Sequence, residues 1–205
     1  MTDFINRLKN YLMETYNCDT IILYGSYSKG DFTSESDVDI ICFRDVEEEL
    51  NDTSFFEGKQ LDVWIKNSKE ELIAQEFLHI RDGKIIHDTE SYGEVLLKSV
   101  RELFELGPPK STLESKQFLV DWMNKMYIRS TKKDVEGTYR YFWLAKDVLE
   151  IYFEIKDLWY EGPKKSLKWL EMNDKEFYEL YISVLNGRVA SEKMKFLIGK
   201  LSECI

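Results

Sequence analysis

The stretch YGSYSKGDFTSESDVDI, residues 24–40, joins two strand-like runs and decides how the first half of the chain is interpreted. The run TIILY (residues 20–24) before its break and DVDIICF (residues 37–43) at its end are both typical of buried strands. Between them, Gly25 and Ser26 open a segment of mostly small and polar residues. The segment is either an ordinary connection between strands or a phosphate cradle followed by part of a metal site.

The acidic residues favour the second interpretation. Because residues two apart in a strand share a face, Asp37 and Asp39 are predicted to point the same way. A later strand, KQLDVWI (residues 59–65), turns Asp62 away from its apolar neighbours, so the three carboxylates meet if the strands are adjacent. Neighbouring carboxylates repel one another unless cations bind among them, and two Mg²⁺ ions about 3.5–4 Å apart support phosphoryl displacement. The alternative is that each acid simply faces water.

The Gly-Ser step has a role in this interpretation. Gly25 lacks a Cβ, so a phosphate can approach the backbone closely and the chain can turn sharply. A helix that starts after Ser26 would direct its free N–H groups at the phosphates, and the Ser26 hydroxyl would add a donor. Lys29 is a candidate for neutralising phosphate charge, although an exposed lysine on a polar loop is the commoner explanation.

The order of these features resembles the active-site signature of the polymerase-beta-type nucleotidyltransferase superfamily. The sequence LYGS is followed by ten residues, then DVDI, then LDVW in a later strand. The resemblance implies that Gly25 and Ser26 hold a nucleoside triphosphate and that Asp37 and Asp39 bind Mg²⁺. It also implies that Asp62 completes the site as a metal ligand or as the base that accepts the acceptor hydroxyl's proton.

The same resemblance implies an α/β domain with a mixed β-sheet, often followed by a helical domain. The Gly107-Pro108-Pro109 segment fits this plan, because proline cannot continue a helix. We therefore predict a nucleotidyltransferase catalytic domain over residues 1–107 and an all-α helical bundle over 108–205. The remaining predicted elements are an opening helix, a hairpin over 77–88, helices over 90–106, 114–130 and 135–160 (the last ended by Gly162-Pro163), and shorter helices with N-caps at Asp174 and Ser191.

The second half offers further candidate site residues. Lys164 and Lys165 follow Gly162-Pro163 in the first turn of a helix, where the helix dipole disfavours basic residues. A residue that breaks a local rule is a candidate for binding phosphate, and ordinary solvated lysines are the alternative. Glu136 and Glu150 are alternatives to Asp62 as the base.

Composition limits the class of substrate. The net charge is −10, from 28 basic and 38 acidic residues, which argues against extended contact with nucleic acid. An acidic chain suits Mg²⁺ or a cationic small molecule. No apolar run is long enough to cross a membrane, and the N-terminus lacks the apolar core of a signal peptide, so a cytoplasmic protein is expected.

The sequence therefore predicts Mg²⁺-dependent transfer of a nucleoside monophosphate from a nucleoside triphosphate, with ATP the expected donor, to a hydroxyl of a small molecule. The small two-domain layout resembles bacterial antibiotic nucleotidyltransferases of the aminoglycoside and lincosamide type. Transfer to a protein or a tRNA end, as in toxin–antitoxin systems, is one alternative, although the acidity disfavours RNA. A non-catalytic nucleotide-binding regulatory module is another, which the presence of all three carboxylates disfavours.

Overall fold

The computed structural model describes residues 2–187 and 192–205. The chain divides into two compact units, Met1–Leu106 and Gly107–Ile205, and the division falls in the Gly-Pro-Pro segment. The first unit is an α/β structure and the second is helical. The functions assigned to the two units stay predictions.

The first unit contains a mixed β-sheet, as predicted. Its strands stand in the order β3-β5-β2-β1-β6, and β4 pairs with β5. The β2–β5 pair is parallel and the other pairs are antiparallel. The elements are α1 (Thr2–Tyr16), β1 (Thr20–Leu23), α2 (Gly25–Lys29), β2 (Val38–Arg44), β3 (Leu50–Asp52), β4 (Phe55–Phe56), β5 (Lys59–Asn67), a 3₁₀ helix (Ala74–Ile80), β6 (Lys84–Asp88) and α3 (Tyr92–Leu106).

Both faces of the central strands are covered. On one face, Leu8 and Leu12 of α1 belong to the same buried cluster as Val38 and Ile40 of β2. The other face carries a second buried cluster, made of Ile22, Ile41, Phe43, Phe77, Ile80, Leu96, Leu97 and Val100. This two-sided burial explains why every residue of β1 is buried.

The hairpin predicted over residues 77–88 is wrong. Its first run lies in the 3₁₀ helix, and its second run is β6, which pairs antiparallel with β1. Phe77 and Ile80 bury their side chains against the second face of the sheet, so this run serves as a covering element. The two short strands β3 and β4 were not predicted.

The second unit consists of helices around one apolar core. The described helices are α4 (Leu113–Ser130), α5 (Val135–Ile155), α6 (Gly162–Asn173), α7 (Lys175–Leu185) and α8 (Glu192–Ser202). Helix α5 supplies many of the buried residues, including Tyr141, Leu144 and Val148.

Two predicted helix boundaries have different outcomes. Helix α5 ends at Ile155 and does not continue to Gly162-Pro163, because Asp157 takes a left-handed conformation (φ 53°) that breaks the helix. The N-cap predicted at Asp174 is confirmed, since its Oδ1 accepts a hydrogen bond from Phe177 N at 3.1 Å. The N-cap predicted at Ser191 lies outside the described residues.

Candidate active site

The candidate site lies at the edge of the sheet where β1 ends and β2 and β5 begin. Leu23, the last residue of β1, pairs with Ile40 of β2. The Tyr24 N–H donates to the main-chain oxygen of Asp39 at 3.0 Å. Helix α2 then starts at Gly25, so the Gly-Ser turn and the acidic end of β2 meet at one point of the sheet.

Asp39 and Asp62 lie side by side. Strands β2 and β5 are parallel neighbours, and these two residues are directly paired in their register. Neighbouring strands lie about 4.7–4.9 Å apart, so the two half-buried side chains start from adjacent points on the same face. Asp37 immediately precedes β2 and is exposed. The strand adjacency on which the three-carboxylate prediction depended is therefore present.

The negative charges of the three acids affect the pKa of the Tyr24 phenol. Its pKa is raised above the usual range, first by burial and then by the charges of Asp39, Asp62 and Asp37. Each carboxylate is thus close enough to disfavour a negative charge on the phenol oxygen. Tyr24 therefore stays protonated at neutral pH, and its phenol lies near all three acids.

Carboxylate oxygens are the ligands that Mg²⁺ prefers, so the donor chemistry of this edge fits a divalent cation. Over residues 2–187 and 192–205, no group of three or more His, Cys, Asp or Glu side chains is arranged to hold a metal ion. The backbone thus brings Asp39 and Asp62 together without the full three-ligand arrangement. Assignment of Asp37, Asp39 and Asp62 as metal ligands stays a prediction.

Gly25 packs so closely against Asp39 that a side chain at this position would collide with the carboxylate. Its φ is +64°, in the left-handed region. A Cβ at this position would lie 1.9 Å from Asp39 Oδ2 and 2.7 Å from Asp39 Cγ. The sequence predicted an absent Cβ for the approach of a phosphate, whereas here the neighbouring space is filled by a carboxylate of the site itself.

Ser26 and Lys29 lie on the short helix α2, which begins at Gly25, two residues before the predicted start after Ser26. Ser26 is half-buried, and its main-chain oxygen accepts from Gly30 N at 2.9 Å. Lys29 forms an ion pair with Asp82 at 2.8 Å, and each side chain is 37% exposed. The Lys29 ammonium therefore already has an anionic partner within the first unit.

The candidate residues of the second half belong to the other unit. Lys164 and Lys165 lie in the first turn of α6, as predicted, and Lys165 pairs with Glu161 at 3.0 Å. Glu136 pairs with Arg140 at 2.6 Å. Their parts in nucleotide binding or proton transfer stay predictions.

Asn51 is a neighbour of the acids that the sequence did not reveal. Its Nδ2 donates to Asp62 Oδ1 at 2.8 Å. Asparagine and aspartate are depleted in strands, so the pair Asn51-Asp52 has the composition of a turn, yet both residues lie in β3. The sequence also did not reveal that His79 contacts Tyr24, with its ring edge-on at 5.3 Å between centroids.

Comparison with known families identifies the family of this chain. The sequence model of the nucleotidyltransferase domain matches residues 5–182, which is most of the chain. The chain belongs to the nucleotidyltransferase domain family. The predicted relationship with the polymerase-beta-type nucleotidyltransferases is thereby confirmed.

Other comparisons are more distant. The crystal structure of a nucleotidyltransferase-like protein from Exiguobacterium sibiricum 255-15 aligns with this nucleotidyltransferase at a TM-score of 0.44 and 11% identity, covering 98% of this chain and 73% of that chain. No curated protein matches the sequence. Within the described part of this nucleotidyltransferase, no helix is long and apolar enough to cross a membrane.

Proposed function

We propose that this nucleotidyltransferase transfers a nucleoside monophosphate from a nucleoside triphosphate, with ATP the expected donor, to a hydroxyl of a small molecule. The observation that carries the proposal is the pairing of Asp39 with Asp62 beside the Gly25-Ser26 turn, in a chain of this family. In the proposed reaction the acceptor oxygen bonds to the α-phosphorus. The bond between the α-phosphorus and the oxygen that bridges it to the β-phosphorus breaks, and pyrophosphate leaves.

Each residue of the site has a proposed role. Asp37, Asp39 and Asp62 hold the divalent cations, and Asp62 is also the first candidate for accepting the acceptor hydroxyl's proton. Bound Mg²⁺ would neutralise negative charge on the triphosphate and the leaving pyrophosphate. Gly25 and Ser26 position the triphosphate through main-chain N–H groups and the Ser26 hydroxyl. Contacts of Lys29, Lys164 and Lys165 with phosphate are secondary parts of the proposal.

A cationic compound is the proposed acceptor, and an aminoglycoside or lincosamide antibiotic is the first class to test. The net charge of −10 favours a positively charged substrate in the cytoplasm. The second unit also contains a cavity of about 300 Å³ where aromatic rings stand beside carboxylates, a combination that attracts organic cations. Its lining residues are Phe118, Leu119, Trp122, Asp147, Glu150, Ile151 and Glu154.

The direct test is pyrophosphate release from each of the four nucleoside triphosphates with Mg²⁺. Antibiotics, proteins and tRNA are added in separate arms, so the arm that stimulates release identifies the acceptor class. Asp37→Asn and Asp39→Asn should each lower the stimulated rate of pyrophosphate release by about 100-fold or more. Each substitution removes a negative charge proposed to hold the divalent cations. Asp45→Asn is the matched control, since this exposed acid directly follows the other end of β2.

The outcomes separate the alternatives. Release stimulated by protein or tRNA would replace the small-molecule acceptor and keep the reaction. Triphosphate binding without release in any arm would favour the regulatory module. Full activity in Asp39→Asn would overturn the assignment of the site.

A further inference from the structure

Strand β3 is an edge strand of the sheet. It lies beside the sheet face that carries Asp39 and Asp62, which we call the acidic face. The strand spans Leu50–Asp52 and pairs antiparallel with β5, where Asn51 stands directly opposite Trp64. Directly opposed residues share a face, and Asp62 shares that face because it is two residues from Trp64. Asn51 and Asp62 are thus diagonal neighbours, at a separation that their side chains can bridge.

The side-chain amide of Asn51 makes this bridge. Its Nδ2 donates to Asp62 Oδ1 at 2.8 Å and also lies 3.5 Å from the main-chain oxygen of Val63. Both partners are acceptors, so only the NH₂ end of the amide can face them, and its orientation follows from the chemistry. Both side chains are half-buried, which reduces competition from water.

The two polar residues of β3 are divided between its faces. Asp52 points to the opposite side, where Oδ2 accepts from the hydroxyl of Tyr16 at 2.7 Å. The Tyr16–Asp52 bond ties β3 to helix α1, whereas the Asn51–Asp62 bond reaches the acidic face. One bond thus attaches the strand to its surroundings and the other reaches a predicted site carboxylate.

We propose that Asn51 is a positioning residue that fixes the orientation of the Asp62 carboxylate for nucleotide transfer. The proposal rests on the proposed function of Asp62. The hydrogen bond from the Asn51 amide holds Oδ1 of Asp62 in place. The second oxygen, Oδ2, is then presented in a fixed direction to a cation or to the acceptor's proton. Partners that orient a ligand in this way typically contribute 10–100-fold to metal affinity or activity.

The test compares two substitutions in the same strand. Asn51→Leu removes the amide while keeping the branched shape and the number of side-chain heavy atoms, and it should lower kcat by about 10–100-fold with little change in KM for the triphosphate. Asn51→Gln retains an amide donor one methylene further out, and it should recover part of that loss. Asp52→Leu is the matched control, because it removes the bond to Tyr16 and should leave kcat unchanged.

A second measurement is independent of turnover. Mn²⁺ affinity, measured by electron paramagnetic resonance without triphosphate, should fall by about 10–100-fold in Asn51→Leu and stay at the wild-type value in Asp52→Leu. Equal losses of kcat or of Mn²⁺ affinity in the two variants would mean that β3 acts only as structural support, and would overturn the proposal.

Failure of this inference can be told from failure of the proposed function. If Asp39→Asn and Asp62→Asn abolish turnover and Mn²⁺ binding while Asn51→Leu resembles wild type, only the role of Asn51 is overturned. If all three variants turn over and bind Mn²⁺ like wild type, or if wild type does neither, both proposals are overturned.

Discussion

Replacing Gly25 with alanine tests the close contact between the glycine turn and the acidic site. Gly25 has a φ of +64°, and an alanine in this left-handed region is destabilised by about 1–2 kcal/mol. The added Cβ would also lie 1.9 Å from Asp39 Oδ2, 2.7 Å from Cγ and 3.1 Å from Cβ. Because three atoms are involved, the whole Asp39 side chain must move.

The expected cost combines both effects. Forcing Asp39 away from its preferred rotamer adds about 0.5–1.5 kcal/mol to the backbone strain. The total loss in the free energy of unfolding is then about 1.5–3.5 kcal/mol. A displacement of about 1 Å at a reacting group can lower the rate about 100-fold, so Gly25→Ala should also lose nucleotide transfer by about that factor.

Gly30→Ala is the matched control. Gly30 caps the other end of α2 with a φ of +82°, and nothing lies within 4 Å of the position its Cβ would occupy. It should therefore cost only the backbone strain of about 1–2 kcal/mol and retain activity. Hydrogen exchange of the β1 and β2 amides measures stability within the first unit, and pyrophosphate release measures activity.

The contact with Asp39 can be isolated further. In an Asp39→Ala background the two closest atoms are gone and only the 3.1 Å contact with Cβ remains, so Gly25→Ala should cost little more than the backbone strain of about 1–2 kcal/mol. Equal losses of stability in Gly25→Ala and Gly30→Ala, with activity retained in both, would refute the argument.

Two further predictions concern stability. Tyr27 is 4% exposed, and its hydroxyl has no hydrogen-bond partner within the described part of the chain. Tyr27→Phe should therefore raise the free energy of unfolding, measured by urea titration, by up to about 1 kcal/mol. A decrease of that size in the free energy of unfolding would contradict the prediction. Hydrogen bonds from Lys116 and Ser111 lower the pKa of Asp157 below its usual range. The ionised carboxylate therefore contributes to the free energy of unfolding above the unfolded-state pKa near 3.9, and this contribution is lost as pH falls through the lower folded-state pKa. Asp157→Asn should therefore destabilise the protein by about 1 kcal/mol at pH 7 and by much less at pH 2, and a pH-independent difference would exclude this cause.

Local rules explain what the sequence predicted about the site. Alternation along a strand placed Asp39 and Asp62 on the face opposite Val38 and Val63, and the structure has them there. The break at Gly25 was predicted because a glycine followed by small polar residues ends a β-branched run. These properties depend on residues next to one another in the chain, so no knowledge of the fold was needed.

The tertiary structure decided which segments became neighbours. Strand β6 pairs with β1 and not with the segment before it, because that segment covers the second face of the sheet as a 3₁₀ helix. The register of β3 beside β5 brings Asn51 to Asp62, and the turn into α2 brings Gly25 against Asp39. Strand pairing joins distant segments through edges and apolar faces that exist only after the sheet has formed. The sequence alone therefore determined the acidic face, and only the fold determined which residues hold its side chains in place.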